Sequence, residues 1–331
     1  MLALLIAEGA LRLFRLAPAA GIGTVTSGQF ERVPGIYTPN QRVRDLQRPA
    51  LPFSVTIDSL GYRGSNFTRQ KPAHQWRIVM LGDSYVYGDF VDDNQTFPFQ
   101  VEERLRRVCS DPLVINAGLG GTTIVDHAFM LQRALPLNPD LVILVFVVDD
   151  FDNLADPVSS WEHLAANRAR KSRFPLSIVY PWARNTALWN LLVRARATQM
   201  NREDAAALQQ RYAGDRTATA QHLRDRYGEL LLAMQDSLKT RGVQLVLAMY
   251  PWSRELLGAS ENSRWMEQFA TERGITVVNP LPRLQASRLA DTTLYLLPED
   301  GHPSPAGYAI AADAVAERLL LGPAVPASCK R

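Results

Sequence analysis

Residues 77–88 read Arg77-Ile78-Val79-Met80-Leu81-Gly82-Asp83-Ser84-Tyr85-Val86-Tyr87-Gly88. A short apolar run ending in glycine predicts a buried strand, because strands covered on both faces lose the polar alternation of half-exposed ones. Gly82 permits a tight turn into a following helix. A serine at such a turn points its hydroxyl out at the carboxyl edge of a sheet, beside the unpaired N–H groups of a helix start. An N-cap serine with a neighbouring aspartate would give the same residues, so this stretch alone leaves the function open.

Outward from it, strands and helices alternate. Strands are expected at 113–116, 141–148, 243–249 and 275–278, and the run from Leu141 to Val148 is the most apolar in the chain. Helical spacing appears over 97–108, where Phe97, Val101, Leu105 and Val108 share a face, and again over 124–134 and about 203–239. Ser304 caps a last helix, 305–320, with Pro305 in its first turn. Alternation of this kind implies right-handed βαβ units and a three-layer α/β/α sandwich around a five-stranded parallel sheet.

The expected organisation is an apolar, amphipathic segment at 1–20, an irregular extension at 21–76, one domain at 77–322 interrupted by an insertion at about 151–201, and a tail at 323–331. The chain has 331 residues, 47% hydrophobic and 21% charged, with a formal net charge of +3. Those values exclude a disordered chain, a collagen-like repeat and a multi-span membrane protein, and give no ground for a nucleic-acid partner. Arginine supplies 32 of the 36 basic residues, a bias read first as genomic composition. Two cysteines, Cys109 and Cys329, exclude a disulfide framework and a cysteine-built zinc site, while leaving one bridge open.

Three further stretches could carry chemistry. Asp300-Gly301-His302-Pro303 precedes the last helix, with Glu299 one residue further back. A histidine with an acid two or three residues before it can form a base and its orienting partner; a histidine packed at a helix start would look alike. Asn116-Ala117-Gly118-Leu119-Gly120-Gly121-Thr122 suits a loop whose backbone N–H groups face a ligand. It is not a dinucleotide fingerprint, because Thr123 stands where a third glycine would be needed. Asp149, Asp150, Asp152 and Asn153 end the central strand; they could line a site, hold a divalent cation or cap a helix.

Together, in this order and each after its strand, the four stretches resemble the SGNH (GDSL-type) hydrolase superfamily, whose fold is flavodoxin-like, over about 77–320. The resemblance implies Ser84 as nucleophile in block I, Gly121 as the block II glycine and His302 as base in block V. It implies an oxyanion hole made by Ser84, Gly121 and the residue at 149. Two departures stand out: block III has Asp149-Asp150 where an asparagine precedes the aspartate, and the block V acid is Asp300, at two residues before His302, or Glu299, at three. Gly61-Tyr62-Arg63-Gly64, within 58–64, is similar to what precedes the first strand in bacterial envelope members.

The function this implies is a serine esterase or O-acyltransferase acting on an acylated small molecule or glycan, with no cofactor and no metal. The alternatives are a catalytically impaired binding protein of the same fold and, more remotely, a metal-dependent phosphoesterase built on Asp149, Asp150 and Asp152. The N-terminal segment and the insertion suggest a peripheral membrane contact: from Trp161 to Arg196 the insertion carries six arginines and one lysine against Glu162 alone, interleaved with aromatic residues. The expected location is the bacterial cell envelope, with the cytoplasm as the alternative.

Overall fold

A computed structural model of the chain describes residues 2–14, 37, 39–45, 51–154 and 216–329, with short pieces at 170, 173–175, 177–178, 186–188 and 191. Most of the insertion, and residues 203–215 of the expected long helix, therefore lie outside the described residues.

Five parallel strands form the sheet: β3 (Trp76–Gly82), β4 (Pro112–Gly118), β5 (Leu141–Phe146), β6 (Gln244–Met249) and β7 (Thr276–Val278), preceded by β1 (Gln41–Asp45) and β2 (Phe53–Ile57). Their spatial order is β4-β3-β5-β6-β7. The chain reverses direction across the sheet after β4, so β3 and β5 lie side by side where ligands bind in open α/β sheets. Every residue of β3 and β5 is buried. Alternation of side chains sends Val79 and Leu81 of β3 and Val142, Leu144 and Phe146 of β5 into one core. Ile78, Met80, Ile143 and Val145 enter the core on the opposite face. Two apolar layers on one sheet are what the unbroken apolar runs encode.

The helices are α1 (Leu2–Leu13), α2 (Ser84–Tyr87), α3 (Phe97–Leu105), α4 (Ile124–Ala134), α5 (Asp150–Leu154), α6 (Arg216–Lys239), α7 (Glu261–Glu272), α8 (Leu281–Ala286), α9 (Asp291–Leu294) and α10 (Pro305–Leu320). Ser304 caps α10 by accepting the Gly307 N–H at 3.2 Å. On α1, Leu4, Leu5, Ile6 and Leu13 are exposed, while the Glu8 carboxylate accepts the backbone N–H groups of Ala187 and Leu188 at 2.8 and 3.0 Å. Among the described residues no helix is long and apolar enough to cross a membrane.

Two features differ from the sequence expectation. The extension expected to be irregular contains an antiparallel pair, β1 (Gln41–Asp45) with β2 (Phe53–Ile57). Its cause is the alternation Phe53-Ser54-Val55-Thr56-Ile57, in which Phe53, Val55 and Ile57 are buried. The tail is also tied down, because Cys329 forms a disulfide with Cys109, just beyond α3, across 220 residues.

Candidate active site

At the carboxyl edge of β3 the chain turns directly into α2. The N-cap is Asp83, whose Oδ1 accepts the Tyr85 N–H at 2.9 Å, so Ser84 is the first helical residue and not the cap. α2 lasts one turn, ending at Gly88 with φ of +89°. β4 ends hard against it: a Cβ on Gly118 would lie 2.0 Å from the Tyr87 nitrogen, so only glycine lets the two segments approach. Asn116 completes the junction, donating from Nδ2 to the Tyr87 carbonyl at 3.2 Å.

His302 arrives from the loop before α10. Its Nε2 lies 2.8 Å from Ser84 Oγ. Its Nδ1 is hydrogen-bonded to Asp300 Oδ1, which also accepts the His302 backbone N–H at 2.8 Å. The Asp300 side chain is 7% exposed, whereas Glu299 is exposed. Tyr85 supports the loop from below: its hydroxyl donates to the Gly301 carbonyl at 3.3 Å, and its ring centroid is 5.3 Å from that of His302. Burial by itself pulls the His302 pKa down; the Asp300 hydrogen bond and the charges of Asp89, Asp300 and Asp83 outweigh it, and the net shift is upward from 6.5.

The glycine loop after β4 faces Ser84. A Cβ on Gly120 would sit 3.7 Å from Ser84 Cβ and 3.5 Å from Asp89 Oδ2, and Gly121, with φ of +73°, has open space around it.

The acids after β5 group differently from the sequence expectation. Asp83, Asp149 and Asp150 come together, with one carboxylate oxygen of each within 4.8 Å of the others; for Asp152 only the backbone is described. Asp150 is 1% exposed and accepts a hydrogen bond from the Tyr227 hydroxyl at 3.2 Å. Burial first, then the charge of Asp149, lifts Asp83 to about 7, against the Tyr85 N–H bond that lowers it. Burial and the charges of Asp83 and Asp149 push Asp150 upward as well.

Several residues at the site carry no sequence signal. Asp89 and Phe90 follow Gly88, and the Phe90 ring meets His302 edge-on with centroids 5.4 Å apart. Phe90 has φ of +65°, an uncommon backbone for a bulky residue. Tyr37 reaches in from the extension, with its ring 5.0 Å from Tyr87 and its phenol bonded to the Gly120 backbone.

The chain matches the GDSL-like lipase/acylhydrolase family over residues 80–310, well over half its length. No curated protein matches it. Among solved structures it is similar to a lipolytic protein of the G-D-S-L family from Desulfitobacterium hafniense DCB-2, at 15% identity over 73% of this chain and 99% of that one, with a TM-score of 0.42. It is also similar to a catalytic mutant of Axe2, an acetylxylan esterase from Geobacillus stearothermophilus, at 14% identity over 76% and 96%, with a TM-score of 0.43. A third is a two-domain esterase active on acetylated mannans, at 18% identity, with a TM-score of 0.39; the match covers 74% of this chain and only 49% of that one. The extent of the family match, set on a five-stranded parallel sheet, makes the chain a member of the GDSL-like lipase/acylhydrolase family and an SGNH ester hydrolase.

Proposed function

We propose that the chain cleaves or transfers acyl esters through a Ser84–His302–Asp300 triad, with O-acylated sugars as the substrate class to test first. The observation that carries this reading is the 2.8 Å contact between His302 Nε2 and Ser84 Oγ, with Asp300 on the far nitrogen.

In this mechanism His302 takes the Ser84 proton as the oxygen attacks the ester carbonyl. Asp300 keeps the proton on Nδ1, which leaves Nε2 free to accept. The backbone N–H groups of Ser84 and Gly121 receive the developing oxyanion. Collapse of the tetrahedral intermediate expels the alcohol, which takes its proton from His302, and leaves an acyl-Ser84. Water then releases the acid, or a sugar hydroxyl accepts the acyl group; His302 activates either one. The exposed apolar face of α1 suits a peripheral membrane contact, and the Cys109–Cys329 disulfide suits an oxidising compartment such as the cell envelope.

The test is turnover of aryl acetates and acetylated sugars by wild type and Ser84→Ala, with and without an added sugar acceptor. Loss of turnover by several orders of magnitude in Ser84→Ala is expected. Ordinary turnover by the variant overturns the assignment. A wild type inert on every ester, and unlabelled by a serine-reactive probe, favours the binding-protein reading that Asp149 raises.

A further inference from the structure

The motif Gly61-Tyr62-Arg63-Gly64 has no part in the chemistry above, yet its arginine is one of the most completely satisfied groups in the molecule. Arg63 is 4% exposed. All five of its N–H groups have acceptors. Nε donates to Asp93 Oδ1 at 2.9 Å, Nη1 to the carbonyls of Tyr87 and Gly88 at 2.9 and 2.7 Å, and Nη2 to those of Val91 and Ser54 at 2.7 and 3.2 Å. The guanidinium also lies 4.8 Å from the Tyr87 ring centroid.

Three of those carbonyls, at Tyr87, Gly88 and Val91, bracket one short loop. This loop leaves α2 through two left-handed residues, Gly88 at φ +89° and Phe90 at φ +65°. A bulky residue holds such a backbone only when its surroundings impose it, and strain of this kind collects at functional sites. Between the clamped carbonyls stand Asp89 and Phe90, the two residues of the loop that face His302: Phe90 through its ring and Asp89 through its charge. Arg63 itself is fixed from behind. Its backbone bridges to Asn116 of β4, and Gly64 donates to the Thr56 carbonyl at 2.9 Å.

We propose that Arg63 is a positioning residue for the reacting groups: by clamping the Tyr87–Val91 loop it holds Phe90 and Asp89 against His302 and keeps the imidazole aligned on Ser84. The proposal rests on the reading of Ser84 and His302 as the reacting pair. A lysine keeps the charge but cannot reach five acceptors spread around a plane, so Arg63→Lys loosens the loop without removing the cation.

The molecule supplies its own control. Arg77 is 0% exposed and likewise donates to backbone carbonyls, those of Thr68, Arg69 and Leu137, but at the opposite end of β3 from Ser84. Arg63→Lys, Arg77→Lys, Phe90→Ala and the Arg63→Lys/Phe90→Ala double variant are compared in the full chain, on an aryl acetate, well below the melting temperature of each. Arg63→Lys is expected to lower kcat about 10–100-fold with KM nearly unchanged, as a misplacement of about an ångström does. Arg77→Lys is expected to lower stability and leave kcat alone. Phe90→Ala also lowers kcat, and the double variant falls no further than Arg63→Lys, because both act through one loop. An unchanged kcat in Arg63→Lys, equal losses in the two arginine variants, or additive losses in the double variant overturns the proposal. If Arg63→Lys does not fold, Phe90→Ala and Asp93→Asn carry the test, and an unchanged kcat in both overturns it. Ser84→Ala run alongside separates the two readings. Turnover surviving there sinks the triad and this proposal together; turnover lost there but untouched in Arg63→Lys sinks this proposal alone.

Discussion

Asp300 Oδ1 accepts two hydrogen bonds from His302, one from its ring Nδ1 and one from its backbone N–H at 2.8 Å. A spacing of two residues permits this double contact, because the carboxylate folds back over its own turn while Gly301 passes without a side chain. Glu299, one residue earlier, is exposed. Asp300→Ala is therefore expected to lower kcat by about 10⁴-fold, the cost of losing the orienting acid of a triad. Glu299→Ala should stay close to wild type. Kinetics of the two variants on one ester decide it, and the reverse ranking would restore the three-residue spacing.

The acid limb of kcat/KM follows from the charges around His302. Burial lowers its pKa, but the Asp300 hydrogen bond and then Asp89 and Asp300 as charges raise it above 6.5. The base works only when neutral, so activity should fall as pH drops through that raised value. Asp89→Asn removes one stabilising charge from the imidazolium. The limb should move to lower pH while turnover above it is largely kept. A pH–rate profile with an unmoved limb would show that Asp89 does not act on His302.

Cys109 and Cys329 cross-link the turn after α3 to the C-terminal tail over 220 residues. Closing a long loop restricts the unfolded chain, so Cys109→Ser is expected to cost about 2–4 kcal/mol of stability. Thermal melts with and without a thiol reductant test this. The reductant should lower the wild-type melting temperature to near that of the variant and leave the variant unmoved.

The parts legible in the sequence were those where one residue type answers one physical demand. Unbroken apolar runs gave the five strands, because both faces of the sheet are covered. Ser84 and His302, whose side chains lie 2.8 Å apart in the structure, stood out through their places after β3 and before α10. What stayed hidden depends on contacts between distant segments. Arg63 and Tyr37 reach the site only because the extension folds over β4, and the alternation at Phe53–Ile57 was the available sign that it is structured. Phe90 could not be found at all, since nothing in Gly88-Asp89-Phe90 announces a left-handed phenylalanine. The acid cluster was expected from Asp149, Asp150 and Asp152, but its third member, Asp83, arrives from the neighbouring strand.

That cluster gives a stability prediction with a definite sign. Burial and then Asp149 lift Asp83 to about 7 from an ordinary 3.8. The unfolded chain releases this proton first, so the contribution of Asp83 is lost as pH rises from about 4 to 7. His127 acts in the opposite direction. Burial lowers its pKa to about 3 from 6.5, so the unfolded chain takes up a proton that the folded chain refuses, and stability is lost as pH falls below 6.5. The two slopes oppose each other between pH 4 and 6.5. Asp83→Asn removes one of them and keeps an oxygen for the Tyr85 N–H. The melting temperature of Asp83→Asn relative to wild type should therefore climb steadily from pH 4 to 7. A difference that stays constant with pH would show that Asp83 titrates normally.

Asp149 stands where the family pattern has an asparagine that donates an N–H to the oxyanion. An ionised carboxylate has no proton to donate and repels the negative charge that forms on the ester oxygen. Its neighbours bear on this: one oxygen each of Asp83, Asp149 and Asp150 lie within 4.8 Å of one another, and Asp83 and Asp150 are almost fully buried. Three carboxyls this close do not all ionise, and they share protons as a group. The charge of Asp149 is among the causes that raise Asp83 and Asp150. Turnover at neutral pH is then held back by the missing donor, while the loss of neutral His302 limits it in acid. Asp149→Asn supplies a permanent N–H. Since a missing oxyanion donor costs about 10²–10³ in kcat, the variant is expected to raise neutral-pH turnover toward that bound and to widen the pH optimum upward. Steady-state rates from pH 5 to 9 for the two proteins test it. A variant slower than wild type would mean that the carboxylate itself is used, to hold the acceptor hydroxyl or a cation, and the oxyanion would then rest on the backbone N–H groups of Ser84 and Gly121 alone.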